Sequence, residues 1–355
     1  MKRVLFVFNS LGLGGSQKIE AFVANACKDA GYEVTILSFT KGDVGVDINK
    51  NIPISYIIYD RNKGFLGKIK KLPFLLKIRA YIKKTSPDII CVFLADMSRV
   101  VTFASKGLHI PIIASERGAP GRHGKNFIKY RKAFDRCEHV IFQTDAVRDY
   151  YKLARAKTTV VPNPCFLRWG SVDNLTNNEK TICGAGRLCK QKRFDVLIDA
   201  FKIVHEKHPD YKLYIYGSGY LQSELQDQVS KLNLNDYVEL PGYVPDVFRT
   251  HGKPDIFVLS SDYEGIPNIL MEAMAIGIAC VSTDCEPGGA KLLFDNGRRG
   301  LLSPIGDSKS LASNIIRVIE DKEIREELMK NACEVNDEFS EQTIKRMWLD
   351  IFNSL

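Results

Sequence analysis

Short apolar, β-branched runs alternate along the chain with stretches whose apolar residues recur at helical spacing. Arg3–Phe8 is an almost unbroken apolar run ending at Asn9 and Ser10, which predicts a buried strand. A glycine loop follows, Gly12-Leu13-Gly14-Gly15-Ser16, and then an amphipathic helix from about Gln17 to Ala30, stopped by Gly31. Glu33–Phe39, Ile54–Tyr59, Asp88–Leu94, Pro111–Ser115, His139–Gln143 and Thr159–Val161 read as further strands, with helical stretches between most of them. Strands that alternate with helices predict a parallel, doubly wound α/β sheet.

The pattern then restarts. Beyond Val161-Pro162-Asn163-Pro164 lies a polar stretch without periodicity, Asp173 to Lys180, the expected interdomain linker. Thr181–Gly184, Lys212–Tyr216, Tyr237–Leu240, Asp255–Leu259 and Ile278–Ser282 are the next predicted strands. Two Rossmann-like domains in tandem follow, residues 1–165 and 166–339, with the ligand expected in a cleft facing the carboxyl ends of both sets of strands. The amphipathic end, Ser340–Phe352 with Trp348, is expected to pack back across a domain, and the assignment made is the first.

Composition adds constraints. A length of 355 residues agrees with two domains, and 45% hydrophobic with 26% charged residues is ordinary globular usage. No apolar run reaches the roughly 18 residues of a membrane span, and Val4–Phe8 is too short for a signal-peptide core. The nine cysteines include no Cys-x-x-Cys, and Cys280 and Cys285 lack partners at zinc-like spacing, so reduced thiols in a cytoplasmic protein are expected. The net charge of +8 conceals a division. Residues 1–165 hold 28 Lys+Arg against 13 Asp+Glu, whereas residues 166–355 hold 22 against 29.

From Arg61 to Lys84 there are nine basic residues and no acidic one, interleaved with Phe65, Leu66, Phe74, Leu75, Leu76 and other apolar positions. A helix interrupted at Pro73 is expected there. Two readings are open: docking on an anionic membrane surface, or a solvated helix whose apolar side packs on its own sheet. No nucleic-acid motif accompanies the basic half, so a nucleic-acid partner is not expected.

The candidate chemistry sits at strand ends. Gly12-x-Gly14 has Gln17 where a dinucleotide fingerprint needs its third glycine, and Phe39-Thr40-Lys41 stands where an acidic ribose partner belongs. A phosphate or substrate loop, or a plain tight turn, remains. In the second half, Gly184-Ala185-Gly186-Arg187 ends a strand and Lys192-Arg193 opens a helix, placing a guanidinium fork and an ammonium within reach of one diphosphate. Glu264 lies in the loop after a later strand, and Glu272 lies eight positions on, two turns into the next helix. Gly265 and Pro267 shape the helix start, leaving N–H donors near Asn268–Leu270 for phosphate oxygens. Two such carboxylates can bracket a nucleotide sugar.

Those residues carry a resemblance. Glu264-Gly265-Ile266-Pro267 through Glu272-Ala273-Met274, preceded by Gly186-Arg187-Leu188 and Lys192, resembles the family 4 retaining glycosyltransferases of GT-B fold. Gly12–Gly15, Val161–Pro164, Gly217-Ser218-Gly219 and Leu240-Pro241-Gly242-Tyr243 extend the resemblance over nearly the whole chain. It implies that Arg187 and Lys192 bind the donor diphosphate, Glu272 the ribose hydroxyls, and Glu264 the donor-sugar side, tied to catalysis. Donor binding by Gly265, Ile266, Pro267, Asn268, Ile269 and Leu270 follows, with the base held by backbone at Tyr243–Val244 and Gly14–Gly15 beneath the diphosphate. Many members carry a histidine after the strand matching Pro111–Ser115; here Arg117 stands in its place, within Ser115-Glu116-Arg117, and His123 comes six residues later. The subset with Ser-Glu-Arg and a Pro-Gly-Gly loop, like Pro287-Gly288-Gly289, resembles bacterial surface-glycan transferases, which implies acceptor-side work for Glu116 and Arg117.

The expected activity is transfer of a hexose or N-acetylhexosamine from a UDP-sugar to a glycan or polyprenyl-diphosphate-linked acceptor. It implies work at the inner face of an anionic membrane. No Asp-x-Asp occurs, and neither a metal nor a cofactor is expected. A nucleotide-sugar epimerase of the same architecture and a noncatalytic sugar-nucleotide-binding protein are the alternatives.

Overall fold

A computed structural model describes residues 1–12, 14–58, 71–166 and 175–355. Leu13, Tyr59, the Arg61–Lys70 part of the basic segment and the first two residues of the expected linker lie outside these. The chain divides into two units, Met1–Pro164 with Gln342–Leu355, and Cys165–Glu341.

The first unit is built on a seven-stranded sheet. Its strands are β1 (Arg3–Phe8), β2 (Glu33–Ser38), β3 (Ile54–Tyr56), β4 (Ile89–Phe93), β5 (Ile112–Ser115), β6 (His139–Phe142) and β7 (Lys157–Val160). Their order is β3-β2-β1-β4-β5-β6-β7, with every pairing parallel. Val4 pairs with Val34 on one side and with Ile89 on the other. Sheets covered on both faces need apolar side chains on both, which is why Val4–Phe8 and Ile89–Phe93 are apolar throughout and wholly buried. The helices are α1 (Gly15–Asp29), α2 (Lys71–Thr85), α3 (Ala95–Ala104), α4 (Phe127–Phe134) and α5 (Asp145–Tyr151). Pro73 does not interrupt α2: it lies in the first turn, where its missing N–H has no intrahelical acceptor to lose. Helix α2 buries Phe74, Ile78 and Ile82 at four-residue spacing, while Leu72 and Leu76 are 64% and 56% exposed.

The C-terminal helix Glu341–Asn353 packs on this unit. Trp348 is fully buried and stacks on Phe93 at 5.5 Å, and Phe352 lies 6.0 Å from both Phe6 and Tyr32.

The second unit carries a six-stranded parallel sheet of order β10-β9-β8-β11-β12-β13. Its strands are β8 (Asn177–Ala185), β9 (Lys212–Tyr216), β10 (Val238–Gly242), β11 (Lys253–Leu259), β12 (Ala279–Thr283) and β13 (Leu301–Ser303). The helices that matter to the site are α6 (Phe194–Lys207), α7 (Gln222–Lys231), α8 (Val247–His251), α9 (Asn268–Ala275) and α10 (Gly289–Leu293). The stretch expected as a linker up to Lys180 is corrected from Asn177 onward. Those polar residues open β8, and Asn177 and Asn178 pair with Lys253 and Pro254 of β11. Both units are therefore parallel α/β sheets wound in both directions from their first strand.

Candidate functional site

In the second unit the winding reverses between β8 and β11, the first and fourth strands of that sheet. At such a switch point the two following loops diverge and leave a crevice at the strands' carboxyl ends. The segment after β8 carries Gly186, Arg187 and a short turn, Lys190–Lys192; the segment after β11 carries Ser260 through Pro267. Sixty to eighty residues apart in sequence, they are fastened side by side. Ser260 Oγ donates to the Lys192 carbonyl at 2.8 Å, the Asp262 N–H to the Gln191 carbonyl at 2.9 Å, and Gln191 Nε2 to the Tyr263 carbonyl at 2.8 Å. Arg193 Nη1 bonds Asp262 Oδ1 at 2.9 Å.

This fastening sets Lys192 Nζ 2.7 Å from Glu264 Oε1, with both side chains 13% exposed. Ser261 Oγ donates to the same oxygen at 3.0 Å, and the Glu264 N–H donates to the Glu286 carbonyl at 2.8 Å. Lys192 lies flat across Gly186, where any Cβ would strike its side chain. The loop that holds Glu264 is seated just as closely: a Cβ at Gly289 would run into the Gly265 carbonyl. Burial, with the Glu264 charge as the next cause, pushes the neighbouring Cys285 thiol up to about 12, so it is neutral and plays no part as an anion.

Arg187 is exposed on the same loop, with no hydrogen bond or ion pair to a described residue. Gly265, Ile266 and Pro267 lead into α9, and Pro267 is its N-cap. The expected set of helix-start donors loses one member, because the Leu270 N–H already donates to the Pro267 carbonyl at 3.1 Å. Ile269 remains. Glu272 is half-buried on the side of α9. Tyr243 and Val244 follow β10, the edge strand two places from β8; Tyr243 is 64% exposed.

The remaining expected residues belong to the first unit. Gly14 and Gly15 are the N-cap and first residue of α1. Glu116 and Arg117 end up inside the unit, 1% and 7% exposed. Glu116 Oε1 accepts from the Arg117 and Gly118 N–H groups at 3.0 and 2.9 Å. Its Oε2 meets His123 Nε2 at 3.1 Å and accepts from the Tyr151 hydroxyl at 3.0 Å. Arg117 donates to Ser115 Oγ (2.8 Å), the Val161 carbonyl (2.9 Å) and Asn163 Oδ1 (3.2 Å), and its guanidinium carbon lies 5.7 Å from the Phe93 ring and 5.2 Å from Trp348. Burial lowers the Arg117 pKa to about 9, so it is still a cation at neutral pH. Burial, then the Glu116 charge, holds the Tyr151 phenol far above its ordinary range. Most polar atoms of this pair are thus engaged within the fold, while Arg117 Nη2 is buried without a hydrogen-bond partner among the described residues.

Sequence reasoning set His123 aside, named Arg193 without giving it a role, and assigned nothing to Gln191, Ser261, Asp262 and Tyr151. No spacing marks them; only the strand order brings them to their partners.

Residues 13–166 match the family described as Glycosyltransferase Family 4, and residues 170–335 the family described as Glycosyl transferases group 1. A Campylobacter jejuni protein named GalNAc-alpha-(1->4)-GalNAc-alpha-(1->3)-diNAcBac-PP-undecaprenol alpha-1,4-N-acetyl-D-galactosaminyltransferase is 26% identical over 358 residues, spanning 99% of this chain and 98% of that protein. The amylovoran biosynthesis glycosyltransferase AmsD of Erwinia amylovora is 21% identical, spanning 96% of each chain. Among solved structures, Anabaena HepE in complex with UDP superposes with a TM-score of 0.82 at 21% identity, over 100% of both chains. With each half of the sequence matched in turn and both parallel sheets in place, the chain belongs to the family 4 glycosyltransferases of GT-B fold.

Proposed function

We propose that this glycosyltransferase moves a hexose or N-acetylhexosamine from a UDP-sugar, with retention and without a metal ion, to a glycan carried on a polyprenyl diphosphate. The observation that carries the reading is the Lys192–Glu264 pair at the switch point of the second sheet, with Arg187 exposed beside it. A donor diphosphate at this strand end meets a guanidinium fork, an ammonium and the Ile269 N–H at the start of α9. As the glycosidic bond breaks, negative charge grows on the leaving diphosphate, and these fixed donors stabilise it more than they stabilise the ground state. Diphosphate oxygens compete with Glu264 for Lys192, which releases the carboxylate toward the sugar. Glu272 accepts from the ribose hydroxyls. Two cations at the diphosphate take the part that a bridging Mg²⁺ plays elsewhere. Retention by front-face attack rests on the family resemblance.

The Campylobacter relative's name specifies an undecaprenyl-diphosphate acceptor, which supports a lipid-linked acceptor here. No helix among the described residues is long and apolar enough to cross a membrane. Contact with the inner face of the membrane would fall to the basic first half, where Leu72 and Leu76 stand exposed on α2 beside exposed Lys77, Lys83 and Lys84. The test is to incubate the protein with candidate UDP-sugars and a lipid-linked acceptor and to measure free UDP. Absence of both UDP release and calorimetric UDP binding would overturn the reading.

A further inference from the structure

We propose that Arg193 is a positioning residue for transfer: it holds the Asp262 carboxylate away from Lys192, so that the Lys192 ammonium serves only Glu264 and the donor diphosphate. This rests on the reading of Lys192 as a diphosphate ligand and adds the group that keeps that lysine free for its task.

Local backbone preference does not explain an arginine here. Arg193 is the N-cap of α6, and its φ of 48° with ψ of 43° lies in the left-handed region. A Cβ in that conformation crowds the following carbonyl oxygen, so glycine fits such a position with less strain. The Arg193 side chain makes no cap hydrogen bond to the helix it precedes. A long side chain kept on a strained backbone directs attention to what its guanidinium does.

The guanidinium is divided between two carboxylates. Nε donates to Asp195 Oδ1 and Oδ2 at 3.1 and 3.2 Å, and Nη2 donates to Asp195 Oδ2 at 3.1 Å. This fork is anchored in the first turn of α6 and fixes the plane of the group. Nη1 is then aimed across to the loop after β11, where it donates to Asp262 Oδ1 at 2.9 Å. Both ends of the clasp border the reacting pair: Arg193 follows Lys192 directly, and Asp262 precedes Glu264 by two residues. The Asp262 N–H is itself held by the Gln191 carbonyl at 2.9 Å, which lays Asp262 alongside the turn that carries Lys192.

That loop therefore brings two carboxylates, Asp262 and Glu264, to a turn with one lysine that the donor needs. A lysine is a point charge on a flexible stem and pairs with whichever carboxylate is free. With Asp262 occupied by Arg193, Lys192 Nζ sits 2.7 Å from Glu264 Oε1. With Arg193 removed, Asp262 competes for the ammonium and draws it from the place where charge grows on the leaving diphosphate. The fold loses little by that removal, because the clasp is a partly exposed ion pair.

The experiment compares Arg193→Gly, Asp262→Asn and the double variant with wild type in UDP release from a UDP-sugar and lipid-linked acceptor, with thermal melting in parallel and Lys192→Ala as reference. Arg193→Gly is expected to melt no lower than wild type and to lower kcat/KM about tenfold or more. Adding Asp262→Asn is expected to restore activity to within about threefold of wild type, a coupling between neighbours that a merely structural arginine would not show. Full activity in Arg193→Gly, or an equal loss in the single and double variants, would overturn the positioning role. So would a fall in melting temperature that parallels the loss of activity. If Arg193→Gly fails to fold, Arg193→Asn carries the same test, since asparagine also tolerates left-handed backbone. Full activity in Lys192→Ala would overturn the donor reading and this proposal with it, whereas an inactive Lys192→Ala beside a fully active Arg193→Gly would overturn the proposal alone.

Discussion

Replacing Arg117 by methionine separates a residue that acts on substrate from one that holds the fold. Arg117 donates to three acceptors, Ser115 Oγ, the Val161 carbonyl and Asn163 Oδ1, and lies against the Phe93 and Trp348 rings. It therefore ties together the end of β5, the chain just before it leaves the first unit, and the C-terminal helix that returns to it. Hydrogen bonds from a charged group contribute about 1.5–3 kcal/mol each, and a desolvated cation–π contact about 2 kcal/mol. Against these stands the removal of the guanidinium from water, a cost of several kcal/mol. Arg117→Met deletes both sides. What is left is the Val161 carbonyl and the Ser115 hydroxyl, each short of one donor, about 1–3 kcal/mol each where they stay dry, while Asn163 Oδ1 keeps the Gln143 Nε2 donor at 2.9 Å. Net destabilisation of about 3 kcal/mol is expected, and somewhat less for Arg117→Lys, which keeps the charge but not the fork.

Trp348 reports this directly. The chain has two tryptophans, so in a Trp169→Phe background the urea transition read by fluorescence belongs to the first unit. The sign of any pH effect is fixed. A guanidinium whose pKa falls to about 9 on folding leaves the unfolded chain with more bound proton only above that pH, so stability from this group rises there and is flat between pH 6 and 8. A loss below about 1 kcal/mol combined with a hundredfold fall in turnover at unchanged UDP affinity would refute the reasoning and return Arg117 to the acceptor as a catalytic group.

Four further outcomes are expected. Glu272→Ala should weaken UDP binding by about 1.5–3 kcal/mol in calorimetry, whereas Glu264→Ala should chiefly lower turnover; unchanged affinity and full activity in both would remove these carboxylates from the site. Arg187→Ala and Lys192→Ala should each reduce transferase activity about a hundredfold or more, about 2.7 kcal/mol of transition-state stabilisation, with EDTA leaving wild type active; loss with EDTA and rescue by Mn²⁺ would defeat the metal-free mechanism. Gly289→Ala should destabilise the second unit and shift Glu264, because the Gly265 carbonyl occupies the space of the new methyl group; an unchanged melting temperature with unchanged UDP affinity would contradict that packing. Wild type should sediment with anionic but not neutral vesicles, and a Leu72→Ser, Leu76→Ser, Lys77→Glu variant should stay in solution while still binding UDP.

Much of the sheet was legible because a parallel strand covered on both faces has to be apolar throughout. Arg3–Phe8 and Ile89–Phe93 show this, and their burial follows from the same cause. The opening of β8 was not legible. Asn177-Asn178-Glu179-Lys180 has the composition of a linker, and it is a strand only because Lys253 and Pro254 of β11 run alongside it. Leu301–Ser303 was missed because three residues carry no period. At the site, the motifs marked Arg187, Lys192, Glu264 and Glu272, but the 2.7 Å contact between Lys192 and Glu264 depends on β8 lying next to β11, a fact of topology. Glu116 and Arg117 show the converse. Their motif was visible, yet their burial against His123, Tyr151 and Trp348 depends on partners 7, 35 and 231 residues away.

The two units apply one topological rule to different chemistry. In each, the winding reverses beside the first strand, and the structure places there an apolar cavity whose charged lining is Arg99 and Asp96 in the first unit and a Lys–Glu pair beside an exposed arginine in the second. The first 165 residues carry 15 more basic than acidic residues, so an anionic surface is drawn to them by the summed field. The remainder carries 7 more acidic than basic residues, so a nucleotide diphosphate gains nothing from the field of its own half and depends on Arg187, Lys192 and a helix start at contact distance. Salt discriminates between these cases. A field acting across water is screened within a Debye length of about 8 Å at physiological ionic strength, whereas half-buried contacts are screened far less. Raising salt should therefore release the protein from anionic vesicles well before it weakens UDP binding. Parallel loss of both would mean that the donor too is held by long-range charge, and the switch-point site would not account for its affinity.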